Sequence, residues 1–201
     1  MAKAMSNNPI TSPSAENLAQ AARKAQETAK TKGLPPVHLW NPPLNGVLDM
    51  RIARDGTWFY QGSPINRPQL VRLFSTILRR DGDIYHLVTP AEKWVIAVDD
   101  APFVAIDFEV TGAGDAQKLT FDTNVGDMVV AGRDNPIRVT FDGQTGEPSP
   151  YVHIRAGLEA LIDRKSFYRL IDLACHHDGA FGLWSDGVFF AIMPSDELTE
   201  E

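Results

Sequence analysis

Runs of alternating apolar and polar residues cover most of the chain from residue 34 onward, and they predict short strands broken by a few amphipathic helices. Residues 47–54 and 57–61 are β-rich and flank Asp55-Gly56, a dipeptide suited to the positive φ of a tight hairpin turn. Over 67–80 the period changes: Leu70, Leu73, Phe74, Ile77 and Leu78 share one helical face, and Asp81-Gly82 supplies a stop. Strands follow at 84–88 and 93–98, joined by Thr89-Pro90-Ala91-Glu92. A meander at 103–110, 119–123, 128–131 and 137–141 leads through a turn-rich loop at 143–150 to a strand at 151–156. A second helix is expected at 164–177, stopped by Asp178-Gly179. A closing hairpin, 181–184 with 188–193, then turns at Ser185-Asp186-Gly187.

Two segments depart from alternation. Pro35, Pro36, Pro42 and Pro43 bracket His38, Leu39 and Trp40, so this stretch reads as an extended strap that lies on a surface through side chains such as Trp40. Residues 1–33 are rich in Ala, Ser, Asn, Lys and Gln with little apolar surface, which predicts a disordered tail. Its stretch 16–32 is Ala-rich and transiently helical at most, ending at Gly33.

The chain also repeats itself. In the register that places Arg67 on Arg164, residues 65–82 align with 162–179 without a gap. Ile65/Ile162, Arg67/Arg164, Arg72/Arg169, Leu73/Leu170, Asp81/Asp178 and Gly82/Gly179 are identical. Leu70/Phe167, Phe74/Ile171, Ile77/Ala174 and Leu78/Cys175 keep the apolar face. Each copy is preceded by a strand and followed by an aromatic-rich strand pair. The expected fold is therefore α+β, a duplicated strand-helix-hairpin unit in two small β-rich domains. The divisions are a tail at 1–33, domains at 34–99 and 100–196, and an acidic tail at 197–201. The register puts Cys175 on the buried face of its helix, as a small hydrophobe rather than a nucleophile.

Composition narrows the class. At 201 residues and 43% hydrophobic the chain can fill one good core or two small ones. No run approaches the roughly 20 apolar residues of a membrane span, and the N-terminus lacks a secretory signal's apolar stretch. One cysteine permits no internal disulfide and fits a reducing compartment, so a cytoplasmic protein without membrane contact is expected. The net charge of -7 is unevenly placed: residues 1–33 hold five Lys or Arg against two Asp or Glu, which leaves the remainder more acidic than the whole. An acidic body repels phosphodiester backbones, so no nucleic-acid partner is expected, while a small anionic ligand needs only one or two cations.

No phosphate-cradling Gly-rich loop, nucleophile elbow or metal-ligand spacing stands out. Cys175-His176-His177 on a helix would point about 100° apart per residue and not converge on one ion. The two histidines would favour the helix C-terminus instead, as Arg79 and Arg80 would in the other copy. Acidic pairs such as Asp81/Asp83 sit at turns, where they cap main-chain groups. The richest segment is Thr89-Pro90-Ala91-Glu92-Lys93-Trp94, which puts a hydroxyl, a carboxylate, an ammonium and an indole around one tight turn. Trp58, Tyr60, Asn124, His153 and Arg155 supply similar groups elsewhere.

Pro-Pro-Val-His-Leu-Trp from Pro35, Asp-Gly-Thr-Trp-Phe-Tyr from Asp55, Arg-Leu-Phe-Ser-Thr-Ile-Leu-Arg from Arg72, Thr-Pro-Ala-Glu-Lys-Trp from Thr89, Phe-Asp-Thr-Asn-Val-Gly-Asp from Phe121 and Gly-Leu-Glu-Ala-Leu-Ile from Gly157 carry a resemblance. Over residues 34–194 the chain resembles the bacterial family known as domain of unknown function 1285. The resemblance implies two duplicated α+β domains, the C-terminal one superficially like a pleckstrin-homology fold. It also implies a pocket at the domain interface suited to a nucleotide-like ligand, and a part in signalling; it supplies no catalytic residues. The leading expectation is thus a small-molecule binding module. Arg155 or Lys93 would balance an anion, Trp58 or Trp94 would stack on a ring, and Thr89 and Asn124 would orient it, with Tyr60, Glu92 and His153 also lining the site. The alternative is a hydrolase or transferase using Glu92, His153 or Asp127 as acid or base. A protein-interaction adaptor acting through residues 1–33 is a third reading. No resident cofactor or metal is expected, and oligomeric state is left open.

Overall fold

The structure is a computed structural model that describes residues 13–28 and 33–197. Two compact units divide these residues: one takes those up to Arg51 together with Trp58–Ala97, the other Ile52–Thr57 and those from Val98 onward.

The first unit begins with helix α1 (Ala15–Thr28) and a 3-10 turn at Val37–Leu39. It continues through β1 (Leu44–Ile52), β2 (Trp58–Tyr60), β3 (Ser63–Pro64), α2 (Pro68–Thr76), β4 (Leu78–Asp81), β5 (Ile84–Val88) and β6 (Lys93–Val98). The strands form one six-stranded sheet in the order β3-β2-β1-β6-β5-β4. Alternation decides which face is covered: Leu48 and Met50 on β1 and Trp94 and Ile96 on β6 are all buried. Leu70, Leu73 and Phe74 of α2 are buried too, and Phe74 stacks on Trp58 with ring centroids 6.3 Å apart. Two arginine bonds hold the proline-bracketed strap, because Arg79 Nη1 donates to the carbonyls of Val37 at 3.1 Å and Trp40 at 2.6 Å.

The second unit contains β7 (Phe103–Thr111), β8 (Lys118–Thr123), β9 (Met128–Val130), β10 (Ile137–Phe141), β11 (Pro148–Arg155) and β12 (Leu158–Ile162). After these come α3 (Arg164–Ile171), β13 (Cys175–His177), β14 (Ala180–Ser185) and β15 (Val188–Pro194). One sheet has the order β10-β11-β12-β7-β8-β9, with β12 parallel to β7 and the other pairs antiparallel. A separate three-stranded sheet runs β13-β14-β15. Asp163 caps α3 by accepting the Ser166 N–H at 2.7 Å, so the chain leaves β12 straight into the helix.

The fold is mixed helix and strand, and a helix followed by three antiparallel strands occurs twice, as α2 with β4–β6 at one end of the six-stranded sheet and as α3 with β13–β15 in a sheet of their own. Both helices are shorter than the apolar pattern predicts. The expected helix 67–80 stops at Thr76, and 164–177 stops at Ile171. At the first stop, Ser75 Oγ and Thr76 Oγ1 donate to the carbonyls three residues back, at 2.8 and 2.7 Å, and compete with the helical ladder. Beyond each stop the chain pairs as a hairpin, Leu78 with Leu87 in one copy and Cys175 with Gly182 in the other. Asp81-Gly82 and Asp178-Gly179 therefore belong to strand turns, and Arg79, Arg80, His176 and His177 lie on strands rather than at helix ends. Cys175 is exposed, not buried.

Residues 15–28 also differ from the expected disordered tail. They form α1, opened by Ser14, whose Oγ accepts the Asn17 N–H at 3.2 Å. Leu18, Ala19, Ala22 and Ala25 are buried, and Gln26 Nε2 donates to Thr76 Oγ1 of α2 at 2.9 Å. Small side chains permit that approach, and packing supplies what an isolated helix of this length lacks. The rest of the 1–33 tail that lies at 1–12 and 29–32 falls outside the described residues, as does 198–201 of the acidic tail.

Candidate functional site

Six of the expected site residues lie in the first unit. Both tryptophans are core residues: Trp58 is 1% exposed and Trp94 3%, so their ring faces are spent on packing. Tyr60 donates its hydroxyl to the Pro13 carbonyl at 2.7 Å, which ties the start of α1 to β2. Burial, with the carboxylates of Asp49 and Glu16 nearby, raises the Tyr60 pKa.

The Thr89-Pro90-Ala91-Glu92 turn forms as the sequence predicts, closed by the Thr89 N–H donating to the Glu92 carbonyl at 2.8 Å. Thr89 is buried, and its Oγ1 accepts the N–H groups of Glu92 at 3.1 Å and Ala91 at 3.4 Å. The hydroxyl therefore rigidifies the turn. Glu92 Oε2 accepts the Trp94 indole N–H at 3.2 Å, which fixes the carboxylate at the mouth of the hairpin. Lys93 points elsewhere, with Nζ 3.8 Å from Asp81 Oδ2.

Against this turn lies α1, and the two enclose a pocket of about 420 Å³ lined by Ala21, Lys24, Ala25, Thr89, Pro90, Ala91 and Glu92. Ala21, Lys24 and Ala25 come to one side because residues three and four apart share a helical face. The walls are small and apolar, with a cation at one rim position and a carboxylate at another. Pockets of roughly 300–1,000 Å³ suit drug-sized ligands. In the second unit a depression around Arg54, Leu161, Arg164 and Phe167 encloses about 210 Å³, below that range. An adjoining groove of about 580 Å³ is lined chiefly by polar groups such as Thr140, Asp142, Thr145 and Ser149. Asp142 there is occupied by its own turn, accepting the N–H groups of Gln144 and Thr145.

The second unit holds Asn124, His153 and Arg155. Asn124 Oδ1 accepts the Val104 N–H at 3.0 Å, and its Nδ2 lies 3.4 Å from the Gly56 carbonyl. Gly56 has φ +82, and a Cβ there would sit 2.5 Å from Asn124 Nδ2, so the Asp55-Gly56 turn can rest on Asn124 only as glycine. His153 Nδ1 is 3.0 Å from the Asp134 carbonyl, and its Nε2 accepts the Gly157 N–H at 3.1 Å. Arg155 pairs with Asp127 and lies over the Phe103 ring, 4.8 Å from its centroid. The acid–base candidates Glu92, His153 and Asp127 thus each engage a partner within their own unit.

Sequence reasoning missed the α1 side of the pocket. The available signal was the spacing of Leu18, Ala22 and Ala25 behind Ser14, which is that of a capped helix with one packed stripe. Asp81, which its place before Gly82 alone would make a turn cap, instead meets Arg79, His86 and Lys93. Among the described residues no group of three or more His, Cys, Asp and Glu is placed to hold a metal ion, and no helix is long and apolar enough to cross a membrane.

Two family models match the chain. "Domain of unknown function (DUF1285), N-terminal domain" covers residues 35–101, and "Protein of unknown function (DUF1285), C-terminal domain" covers 102–192. A crystal structure of a DUF1285 family protein from Silicibacter pomeroyi DSS-3 is 63% identical, with a TM-score of 0.85, over 94% of this chain and 99% of that one. A DUF1285 family protein from Shewanella baltica OS155 is 26% identical, with a TM-score of 0.50, over 63% of this chain and 92% of that one. No curated protein matches.

Proposed function

The chain belongs to the DUF1285 family of proteins of unknown function, and from that premise we propose that it is a small-molecule binding module for a nucleotide-like ligand, seated between α1 and the Thr89–Glu92 turn. The observation that carries this reading is the pocket itself: about 420 Å³, walled by Ala21, Ala25, Pro90 and Ala91 and flanked by Lys24 and Glu92. A flat ring fits against small apolar walls. A carboxylate at the rim accepts from an exocyclic amine, and a lysine favours an attached phosphate.

The same geometry gives binding an output, which supports a role in signalling. Because α1 is one wall of the pocket, a ligand that fills it favours the state in which α1 is docked on α2. The undocked population falls accordingly, and a partner that reads α1 would sense the ligand.

The test is calorimetric titration of the full chain with nucleobases, nucleosides and nucleoside phosphates. At least one should bind more tightly than millimolar, and Ala21→Trp, which fills the pocket, should abolish that binding. If nothing in the panel binds in this range, or if Ala21→Trp leaves the affinity unchanged, the reading fails.

A further inference from the structure

Away from the pocket, the strands of the first unit bring together a second constellation. Arg79 on β4 stands opposite His86 on β5, and Lys93 opens β6. Their side chains converge on one carboxylate: Asp81 Oδ2 lies 2.8 Å from Arg79 Nη2, 3.5 Å from His86 Nδ1 and 3.8 Å from Lys93 Nζ. The three basic side chains are largely buried, at 13%, 6% and 18% exposure, whereas the Asp81 side chain is 42% exposed.

Donor capacity exceeds what Asp81 uses. Arg79 Nη1 is spent on the strap carbonyls and Nη2 on Asp81, but the buried Arg79 Nε has no hydrogen-bond partner among the described residues. His86 Nδ1 is likewise buried without one, since the 3.5 Å approach of Asp81 lacks hydrogen-bond geometry. A buried guanidinium N–H and a buried ring nitrogen left without partners are costly and rare in folded proteins, and together they point to a ligand that completes them. The charges agree: two permanent cations face one carboxylate, and that carboxylate is the most exposed member of the cluster, at the end of β4 beside Gly82.

We propose that Arg79, His86 and Lys93 form a binding site for a small oxyanion, a phosphate or carboxylate group, and that the Asp81 side chain is an internal anion which the ligand displaces. A phosphate offers several acceptor oxygens where Asp81 engages the cluster through one, so it can accept from Arg79 Nε and, with the imidazole in its Nδ1–H tautomer, from His86 while lying against Lys93. The Asp81 carboxylate both preorganises the donors and sets the affinity, because a ligand binds only as strongly as it outcompetes a tethered rival. This site is independent of the α1 pocket and stands if the pocket reading fails.

The experiment follows the His86 ring resonances of the full chain while inorganic phosphate replaces chloride at constant ionic strength, with acetate as the carboxylate probe. Phosphate should shift those resonances saturably. Asp81→Asn, a change on an exposed turn, should tighten the apparent affinity by at least about tenfold by removing the competing charge, whereas Lys93→Gln should weaken it. Ala21→Trp should leave the phosphate response as in the unsubstituted chain. A response to acetate but not phosphate would assign the site to carboxylates. Resonances that ignore both anions in the unsubstituted chain and in Asp81→Asn would overturn the site. Equal affinity of those two proteins would overturn the displacement.

Discussion

Ser185 Oγ accepts the Leu119 N–H at 2.9 Å and in the same position donates to the Ala131 carbonyl at 2.7 Å. Leu119 and Ala131 are themselves joined, since the Ala131 N–H donates to the Leu119 carbonyl at 2.8 Å. One fully buried hydroxyl at the end of β14 thus completes the main-chain bonding at the β8–β9 edge of the neighbouring sheet. Ser185→Ala would strand a buried N–H and a buried carbonyl while removing little volume. The expected cost is about 1–3 kcal/mol, seen as a lower urea midpoint with an unchanged slope. A midpoint within error of the unsubstituted chain would mean that water replaces the hydroxyl.

That contact also marks the boundary of what the sequence could reveal. Alternation located β5, β6, β10 and the hairpin that turns at Ser185-Asp186-Gly187, because each is bounded by turn residues with one conformational use. The ends of α2 and α3 were not legible from periodicity. Ile77 and Leu78 continue the helical stripe, yet Leu78 is equally buried as the first residue of β4. The better cue was Asp81-Gly82 ahead of the β-rich run 84–88, which asks for a strand on both sides of the turn. β12 is harder to read because its alternation breaks at Leu161-Ile162 and no turn dipeptide separates it from α3, although Leu158, Ala160 and Ile162 are all buried. In the candidate pocket the turn Thr89–Glu92 was legible from local chemistry. Its α1 wall was not, since alanines carry little apolar signal until a partner helix is known.

Cys175 provides a direct check on the corrected helix end. As an exposed residue of an edge strand it should react with a thiol reagent in the folded protein, with one equivalent modified at a rate close to that in denaturant. Protection by several orders of magnitude would restore the buried helical position that the repeat register alone suggests.

Acid sensitivity should trace to His86. Burial is the main influence on this group and holds its pKa below the ordinary 6.5, while the nearby Asp81 works in the opposite direction. Between 6.5 and the lower folded value the unfolded chain binds a proton that the folded chain does not, so stability falls as pH falls through that window. The Arg79 hydrogen bond holds Asp81 below 3.8, so its contribution is present above that value and is lost as pH falls through its folded pKa. Urea midpoints between about pH 7 and 5 should therefore slope less in His86→Gln than in the unsubstituted chain. Asp81→Asn should alter chiefly the limb below about pH 4, and modestly, given how exposed its carboxylate is. An identical slope in His86→Gln would place the titration elsewhere.

The docking of α1 should be the weakest joint in the first unit, and this follows from what it buries. Its packed stripe is one leucine and three alanines, Leu18, Ala19, Ala22 and Ala25, against the large side chains that fill the core around Trp58 and Phe74. Burying a leucine is worth about 1.5–3 kcal/mol and a methyl somewhat under 1. From that sum must come the cost of ordering a helix that is marginal alone. Amide hydrogen exchange should therefore run faster by orders of magnitude in 15–28 than in β5 and β6, through a local opening that leaves the sheet intact. Ala22 is fully buried in the stripe, so Ala22→Leu should overpack it at a cost of about 1–3 kcal/mol and raise exchange in α1 alone. A nucleotide bound in the pocket should slow exchange in α1 and leave β5 unaffected. If α1 and β5 instead exchange together, in one global event, the helix is an integral part of the core and cannot report on the pocket it walls.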